Sequence, residues 1–300
     1  MAQALAAVLP GLSFVTTVHG VLGLHDRRNL IYRLVDLAAC RRASAVIAVS
    51  ADTRRRLLGA GSPIARTVCI PNGLSARNSR ALERLAQTRS STVRAERPVR
   101  IGLLGRLSPE KGIEDFVSIA ERLHRENTRA EFVVAGDGPL RSFFARETRV
   151  LVSAGVLRHT AKVENVAEML GGIDVLTLPS WNEGMPYSLL EGMAAGCAVA
   201  GYGVGGIPEV VSDRSLGVLA RPGDLKGLFA SVLDLARRPD LVTMIGTRAS
   251  AHVLRRFSLE SRLESLLSAY ELGGLRHRGH LVCDPPADVE ALGGWFRQCA

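Results

Sequence analysis

Lysine is scarce in this sequence. The 300-residue chain carries 38 basic residues, but only Lys111, Lys162 and Lys226 are lysines and the rest are arginines. Genome composition explains such a bias most simply. It nevertheless makes each lysine position informative, because a compact ammonium binds phosphate as a point charge whereas a guanidinium binds it as a planar fork.

Paired cysteines and clustered metal ligands are also lacking. The five cysteines are scattered without Cys-x-x-Cys spacing, and the chain has neither an Asp-x-Asp motif nor a His/Cys cluster. These absences argue against a disulfide scaffold or a zinc site, and they leave a metal-dependent site without support. We therefore expect a protein of the reducing cytoplasm that uses no metal and no cofactor.

The first 24 residues lack Asp, Glu, Lys and Arg. A signal peptide would need a basic n-region, which is missing, and Pro10-Gly11 interrupts the apolar run. The run is also too broken to span a bilayer. We predict a helix, a turn and a buried strand here, and no membrane-spanning segment elsewhere, so that any contact with a membrane would be peripheral.

The overall charge is positive, at +9 with a pI near 9.9. This surplus favours anionic partners such as phosphates, nucleic acid or an acidic membrane face. The alternative is arginine solvated on exposed helix faces. The hydrophobic fraction of 47% and the charged fraction of 22% are typical of a globular protein with a sizeable core.

Short apolar runs alternate with amphipathic stretches along most of the chain. Candidate strands cover residues 14–18, 45–49, 67–70, 99–104, 131–135, 175–178 and 198–201. Helical patterns lie between them, as at 113–125 and 225–237. This alternation predicts an α/β fold of parallel sheets with helices on both faces.

Changes in composition divide the chain into three parts. The polar stretch 77–98 predicts an exposed helix and a linker, and a fresh strand begins at Val99. We predict one domain at 1–97 with its linker, a second at 98–272, and a tail at 273–300 to which we assign no role. Only three candidate strands precede the boundary, so we expect the first domain to be incomplete.

The loop 105–112 follows one predicted strand and precedes a helix. Gly105 allows the backbone to approach a ligand closely. Arg106 and Lys111 place two cations at the carboxyl end of a strand, where open parallel sheets bind ligands. Beside a helix N-terminus, two cations suit a diphosphate. A plain polar surface loop is the alternative interpretation.

The segment 181–196 is the most informative. Glu183 lies in a loop, Pro186 is well placed as the first helical residue, and Glu191 lies about 7.5 Å further along the helix axis. The positive end of the helix stands between the two acids. This order matches the hexose hydroxyls, diphosphate and ribose hydroxyls of a nucleotide sugar. Two solvated acids on an amphipathic helix are the alternative.

Other motifs are weaker. Residues 201–206 match the dinucleotide-binding pattern G-x-G-x-x-G, but the match comes four strands into its domain, and no second strand ends in an acid about 20 positions on. His19 ends the strand at 14–18 and can face a cleft, although a satisfied structural histidine fits equally well.

Taken in order, these segments resemble glycosyltransferase family 4, the retaining enzymes of the two-domain GT-B fold. Seven landmarks carry the resemblance, at residues 19–20, 46–50, 70–73, 105–112, 136–139, 183–196 and 205–211. They extend over residues 15–270. The resemblance implies a GT-B-type pair of Rossmann-like doubly wound domains, the N-terminal one incomplete. Gly192 replaces a frequent alanine and should cost the helix up to about 1 kcal/mol.

The resemblance also implies roles position by position. Catalytic roles are implied for Glu183, His19, Arg106 and Lys111. Arg106 and Lys111 would bind the donor diphosphate, Glu183 the sugar hydroxyls and Glu191 the ribose. Val163 would lie near the base, and His19 would reach the sugar from the other domain. The donor-binding set is Gly105, Arg106, Lys111, Val163, Glu183, Gly184, Met185, Pro186, Tyr187, Ser188, Leu189 and Glu191.

The activity implied is metal-independent transfer of a hexose, with retention, from a nucleotide diphosphate-sugar to a saccharide or lipid-linked acceptor. The expected setting is bacterial surface polysaccharide or glycolipid biosynthesis, in the cytoplasm or peripherally on an anionic membrane face, without nucleic acid. The main alternative is a non-catalytic nucleotide-binding remnant or partner subunit. A sugar-nucleotide epimerase or a phosphorylase of the same fold is a further alternative.

Overall fold

The computed structural model describes residues 14–20, 30–91 and 97–272. They form two compact units, one made of residues up to Arg80 together with those from Phe257 onward, the other of Ala81–Arg256. The division therefore differs from the boundaries predicted at 97/98 and 272/273. The predicted tail at 273–300 and the helix predicted before residue 14 lie outside the described residues.

The described elements alternate in the manner predicted. The strands are β1 (Val15–Val18), β2 (Ala45–Ala48), β3 (Thr67–Cys69), β4 (Val99–Leu104), β5 (Ala130–Ala135), β6 (Leu157–Thr160), β7 (Val175–Leu178), β8 (Ala198–Tyr202) and β9 (Val218–Ala220). The α-helices are α1 (Leu30–Arg42), α2 (Ala51–Gly59), α3 (Ala76–Ser91), α4 (Ile113–Arg125), α5 (Arg141–Glu147), α6 (Arg149–Ser153), α7 (Val166–Gly171), α8 (Tyr187–Ala194), α9 (Ile207–Val210), α10 (Leu225–Arg237), α11 (Pro239–Arg256) and α12 (Leu259–Leu272).

The first unit contains a parallel sheet in the order β1-β2-β3. All four residues of β2 are buried, as expected for a parallel strand covered on both faces. Ile47 of β2 packs with Ile70 and with Ala269 of α12. This contact explains why α12 groups with the first unit although it follows the second in sequence. That the first domain is incomplete stays a prediction.

The second unit is a six-stranded parallel sheet in the order β6-β5-β4-β7-β8-β9. After β6 the chain returns to the other side of β4, so the strand order reverses between β4 and β7. This doubly wound arrangement confirms the predicted fold class, and ligands in such sheets bind at the carboxyl ends of the strands flanking the reversal. The predicted helices at 113–125 and 225–237 are confirmed as α4 and α10.

Candidate functional site

Four loops meet at the carboxyl edge of the second sheet. They are residues 105–112 after β4, 136–140 after β5, 179–186 after β7 and 203–206 after β8. The first and third flank the point where the strand order reverses. The sequence-predicted phosphate loop and the predicted acidic loop are therefore neighbours in space, although about 70 residues separate them along the chain.

Backbone hydrogen bonds join these loops to one another. The amide of Trp181 donates to the carbonyl of Glu110 at 2.9 Å, which ties the acidic loop to the cationic one. The amide of Leu107 donates to the carbonyl of Asp137 at 3.0 Å, and that of Gly206 to Gly184 at 2.7 Å. The loop backbones thus support one another across four strands, which holds the edge of the sheet in a defined shape.

Two glycines make this close approach feasible. Gly112 has φ 65° and a Cβ placed there would collide with the carbonyl of Pro179. Gly205 has φ 56° and a Cβ there would collide with the carbonyl of Glu183. Both positions need a left-handed backbone and the absence of a side chain. Larger residues would push the loops apart at the point where they carry the candidate site.

Lys111 and Glu183 form an ion pair at the centre of the site. Lys111 Nζ donates to Glu183 Oε1 at 2.6 Å, and the side chains are 27% and 7% exposed. The lysine expected to bind phosphate and the acid expected to bind sugar are therefore partners in one ion pair. A ligand that engages either group must compete with the other, since a buried carboxylate requires compensation by a charge or by hydrogen bonds.

The N-terminus of α8 lies directly after this acid. Pro186 is extended, with φ −71° and ψ 132°, and caps the helix instead of forming its first turn as predicted. The helix therefore begins only one residue later than predicted, at Tyr187. Gly184, Met185 and Pro186 are buried. A helix leaves its first amides without intrahelical acceptors and carries a partial positive charge there, which makes this a suitable place for an anion.

The remaining predicted donor residues surround this centre. Arg106 is exposed and follows Gly105, whose φ is 157° and beside which a Cβ would meet open space. Glu191 is half-buried on α8, and Val163 is half-buried after β6. Ser188 is half-buried, Leu189 is buried and Tyr187 is exposed in the first turns of α8. Their binding roles stay predictions.

An aromatic cluster beside the site was missed by the sequence analysis. Tyr202 is fully buried at the end of β8 and its hydroxyl donates to Asp115 Oδ2 at 2.8 Å. Burial and then this hydrogen bond raise the pKa of Tyr202, so that the hydroxyl stays protonated. The Trp181 ring lies 5.7 Å from the Tyr202 ring. The cluster anchors the loop that carries Glu183; its only sequence signal is Trp181 itself.

Gly192 has a packing reason that the sequence did not show. A Cβ at this position would lie 2.5 Å from Cδ2 of Leu176, in β7 beneath the helix. Glycine lowers the intrinsic stability of the helix, but its lack of a side chain allows α8 to pack this closely on the sheet.

His19 ends β1 in the first unit, as predicted. Its side chain reaches solvent, but nearby protein atoms partly desolvate the ring. This desolvation, and then the positive charge of Arg262, lower the pKa of His19 below its ordinary value of 6.5. The imidazole is therefore mainly neutral near pH 7. Its predicted role toward the donor sugar stays a prediction.

Neither a metal-binding cluster nor a membrane-spanning helix is found among the residues that the structure describes. In residues 14–20, 30–91 and 97–272, no three His, Cys, Asp or Glu side chains are grouped to hold a metal ion. Over the same ranges no helix is both long and apolar enough to cross a bilayer. Metal independence and any membrane contact stay predictions.

Two family models match the chain. Residues 1–77 match Glycosyltransferase Family 4, and residues 98–238 match Glycosyl transferases group 1. The two matches together cover most of both units. They fall on either side of the stretch that joins the two sheets.

Curated relatives and solved structures agree with these matches. The chain is 32% identical over 254 residues to a 2-deoxystreptamine N-acetyl-D-glucosaminyltransferase of Streptomyces fradiae, covering 81% of this chain and 58% of the relative. It is 30% identical over 253 residues to a 2-deoxystreptamine glucosyltransferase of Streptomyces kanamyceticus, covering 77% and 63%. The chain thus spans roughly three fifths of these relatives. The crystal structure of Anabaena Alr3699/HepE in complex with UDP-glucose aligns with a TM-score of 0.74 at 20% identity, covering 89% of this chain and 74% of that one.

Proposed function

Since the chain belongs to glycosyltransferase family 4, we propose that it transfers a hexose from a nucleotide diphosphate-sugar to an acceptor hydroxyl, with retention and without a metal ion. The observation that carries the proposal is the placement of Lys111 beside Glu183 where the strand order reverses. A cation and an acid in adjacent positions suit the junction between a diphosphate and a sugar.

The order of the strands supports one orientation of the donor. Val163 follows β6, Lys111 follows β4 and Glu183 follows β7, so these residues lie along one edge of the sheet in that order. Three strand spacings separate β6 from β7, about 14 Å in all. A nucleotide sugar extended over this edge would place its base near Val163, its diphosphate near Lys111 and its sugar near Glu183.

The cations stabilise the negative charge of the leaving group. As the bond between the anomeric carbon and the diphosphate oxygen breaks, that oxygen gathers negative charge. Arg106 and the N-terminus of α8 lie at the same edge and would stabilise this charge, and Lys111 would join them once it turns from Glu183 to the bound diphosphate. The acceptor oxygen bonds to the anomeric carbon on the same face, and its proton passes to the departing diphosphate. No side chain forms a covalent intermediate in this scheme.

The two glutamates bind hydroxyl groups of the donor. Glu183 is nearly buried and would accept hydrogen bonds from sugar hydroxyls when Lys111 turns toward the diphosphate. Glu191, in the second turn of α8, would accept from ribose hydroxyls. A carboxylate that hydrogen-bonds a hydroxyl discriminates strongly against a sugar lacking it, because the buried acceptor is then left unpaired.

The acceptor belongs to one of two classes. The names of two curated relatives specify 2-deoxystreptamine, a polyhydroxylated aminocyclitol, as what those proteins glycosylate. The sequence favours a saccharide or a lipid-linked saccharide of a bacterial surface polysaccharide or glycolipid. We propose an acceptor with several vicinal hydroxyls, which both classes share, at the cytoplasmic side of the membrane.

The experiment is a donor titration followed by a transfer assay. Calorimetry with UDP, GDP, ADP and dTDP in the presence of EDTA should identify one diphosphate that binds, and the Glu191→Ala variant should bind it more weakly. Strict dependence on magnesium or manganese would contradict the proposed site. Binding without transfer or donor hydrolysis over a broad acceptor panel would favour a nucleotide-binding partner subunit instead.

A further inference from the structure

A cavity lies on the second unit between α4 and α10. It is separate from the loops of the candidate donor site. Its volume is about 430 Å³. The side chains of Ile119, Leu225 and Phe229 form its apolar part. The cavity lies between the second half of α4, where Arg122 is nine residues from the helix start, and the beginning of α10, whose first two residues are Leu225 and Lys226. Its lining residues do not include any residue of the four loops of the candidate donor site.

Three cations line the same cavity: Arg122 and Arg125 on α4 and Lys226 on α10. The guanidinium carbon of Arg122 lies 3.8 Å from the centre of the Phe229 ring, so the group is stacked on an aromatic face. Its Nε donates to Glu126 Oε1 at 3.0 Å. These two contacts fix the plane of the guanidinium and leave its terminal nitrogens available for an anion.

Neither of the other two cations is neutralised within the part of the chain that the structure describes. Arg125 and Lys226 have no ion-pair partner among those residues, whereas Arg122 shares its charge with Glu126. The cavity thus combines apolar surface with three cations. It suits a ligand that has both a strongly anionic group and an apolar or flat portion.

We propose that this cavity binds an organic phosphate, with the phosphate on Arg122, Arg125 and Lys226 and the ester group on Ile119, Leu225 and Phe229. The guanidinium fork matches phosphate oxygens in geometry as well as in charge. A cavity of about 430 Å³ is within the range of roughly 300–1,000 Å³ that small-molecule sites occupy. A cavity of this size suits a soluble phosphate ester rather than a broad anionic membrane surface.

Phenyl phosphate is the probe that tests this site on the full chain, with inorganic phosphate and phenol as its two halves. Titration followed by ligand-observed NMR should show phenyl phosphate binding at least ~10-fold more tightly than either half, because the charged and apolar contacts act together. The Arg125→Gln/Lys226→Gln double variant should weaken it at least ~10-fold. A matched double variant, Arg146→Gln/Lys162→Gln, removes the same charge elsewhere and should leave binding unchanged.

Three results would overturn the proposal. An equal loss of phenyl phosphate affinity in both double variants would show that net charge, and not the cavity, attracts the probe. Competition by a saturating nucleoside diphosphate, or loss of binding in Lys111→Met, would place the probe in the donor site. Sedimentation with phosphatidylglycerol vesicles, but not with phosphatidylcholine vesicles, together with no phenyl phosphate binding, would show a membrane surface instead. None of these results depends on whether the chain transfers sugar.

Discussion

Replacing Lys111 by methionine should leave a buried carboxylate without its cation. The two groups meet at 2.6 Å, and Glu183 is 7% exposed while Lys111 is 27% exposed. Breaking a fully buried pair costs about 3–5 kcal/mol, and one charge-assisted hydrogen bond contributes about 1.5–3 kcal/mol. Because Lys111 retains contact with solvent, we expect the free energy of unfolding to fall by about 2 kcal/mol.

A double-mutant cycle with Glu183→Gln isolates the pair. The coupling energy should be about 1.5–3 kcal/mol, because the double variant leaves no unpaired charge. The control cycle is Lys162→Met with Glu164→Gln, a pair at 3.1 Å whose side chains are 83% and 79% exposed. Exposed pairs couple by about 0–1 kcal/mol. Urea denaturation measures both cycles, and equal coupling energies would refute the account of a buried pair.

The same substitution separates phosphate binding from nucleoside binding. If Lys111 leaves Glu183 to bind the diphosphate, Lys111→Met should weaken binding of the preferred nucleoside diphosphate by about 10- to 150-fold, equivalent to about 1.5–3 kcal/mol. Binding of the matching nucleoside should change little. Calorimetry gives both affinities, and an equal loss for the two ligands would place Lys111 away from the phosphates.

Three further outcomes are expected. Arg106→Ala should weaken diphosphate binding much as Lys111→Met does, but urea denaturation should show little loss of stability, since Arg106 is exposed. Gly205→Ala should lower the free energy of unfolding by more than about 1 kcal/mol, because φ is 56° and the Glu183 carbonyl blocks a Cβ. The control is Gly59→Ala, where a Cβ meets open space, and it should be neutral or stabilising. Similar thermal shifts for the two variants would contradict this. NMR titration should place the pKa of His19 below 6.5. Because the folded state then favours the neutral imidazole, the free energy of unfolding should fall as pH drops below 6.5. A titration midpoint above that value would show the assigned environment of His19 to be wrong.

The sequence predicts the strands that lie inside the second sheet and misses those at its edges. β4, β5, β7 and β8 are mostly buried and consist mainly of apolar residues, with Arg100 and Glu131 as the charged exceptions. β6 alternates between buried and exposed residues, and β9 has three half-buried residues. An edge strand needs fewer apolar residues because one side has no neighbouring strand, so its periodic signal is weak.

The grouping of α12 with the first unit could not be predicted for a different reason. The polar linker near residue 97 is a feature of local composition, whereas the observed units depend on packing between distant segments. α12 follows the second unit in sequence, yet Ala269 packs on Ile47 and Ile70 of the first. No periodicity within α12 specifies which sheet it covers, so local patterns could not have assigned it.

The pairing of Lys111 with Glu183 shows where sequence reasoning about the site ends. Each loop could be placed at the carboxyl end of its own strand, because apolar runs identify β4 and β7. Their contact also requires that β4 and β7 be neighbours, although β5 and β6 come between them in the chain. The parallel, doubly wound topology provides this adjacency by sending the chain back across β4 after β6. Once the two loops are adjacent, the nearly buried Glu183 needs a cation, and Lys111 is the one that the first loop places within reach. The site therefore compensates its own charge, and any donor must offer that lysine a stronger anion than Glu183, which a diphosphate does and a neutral sugar does not.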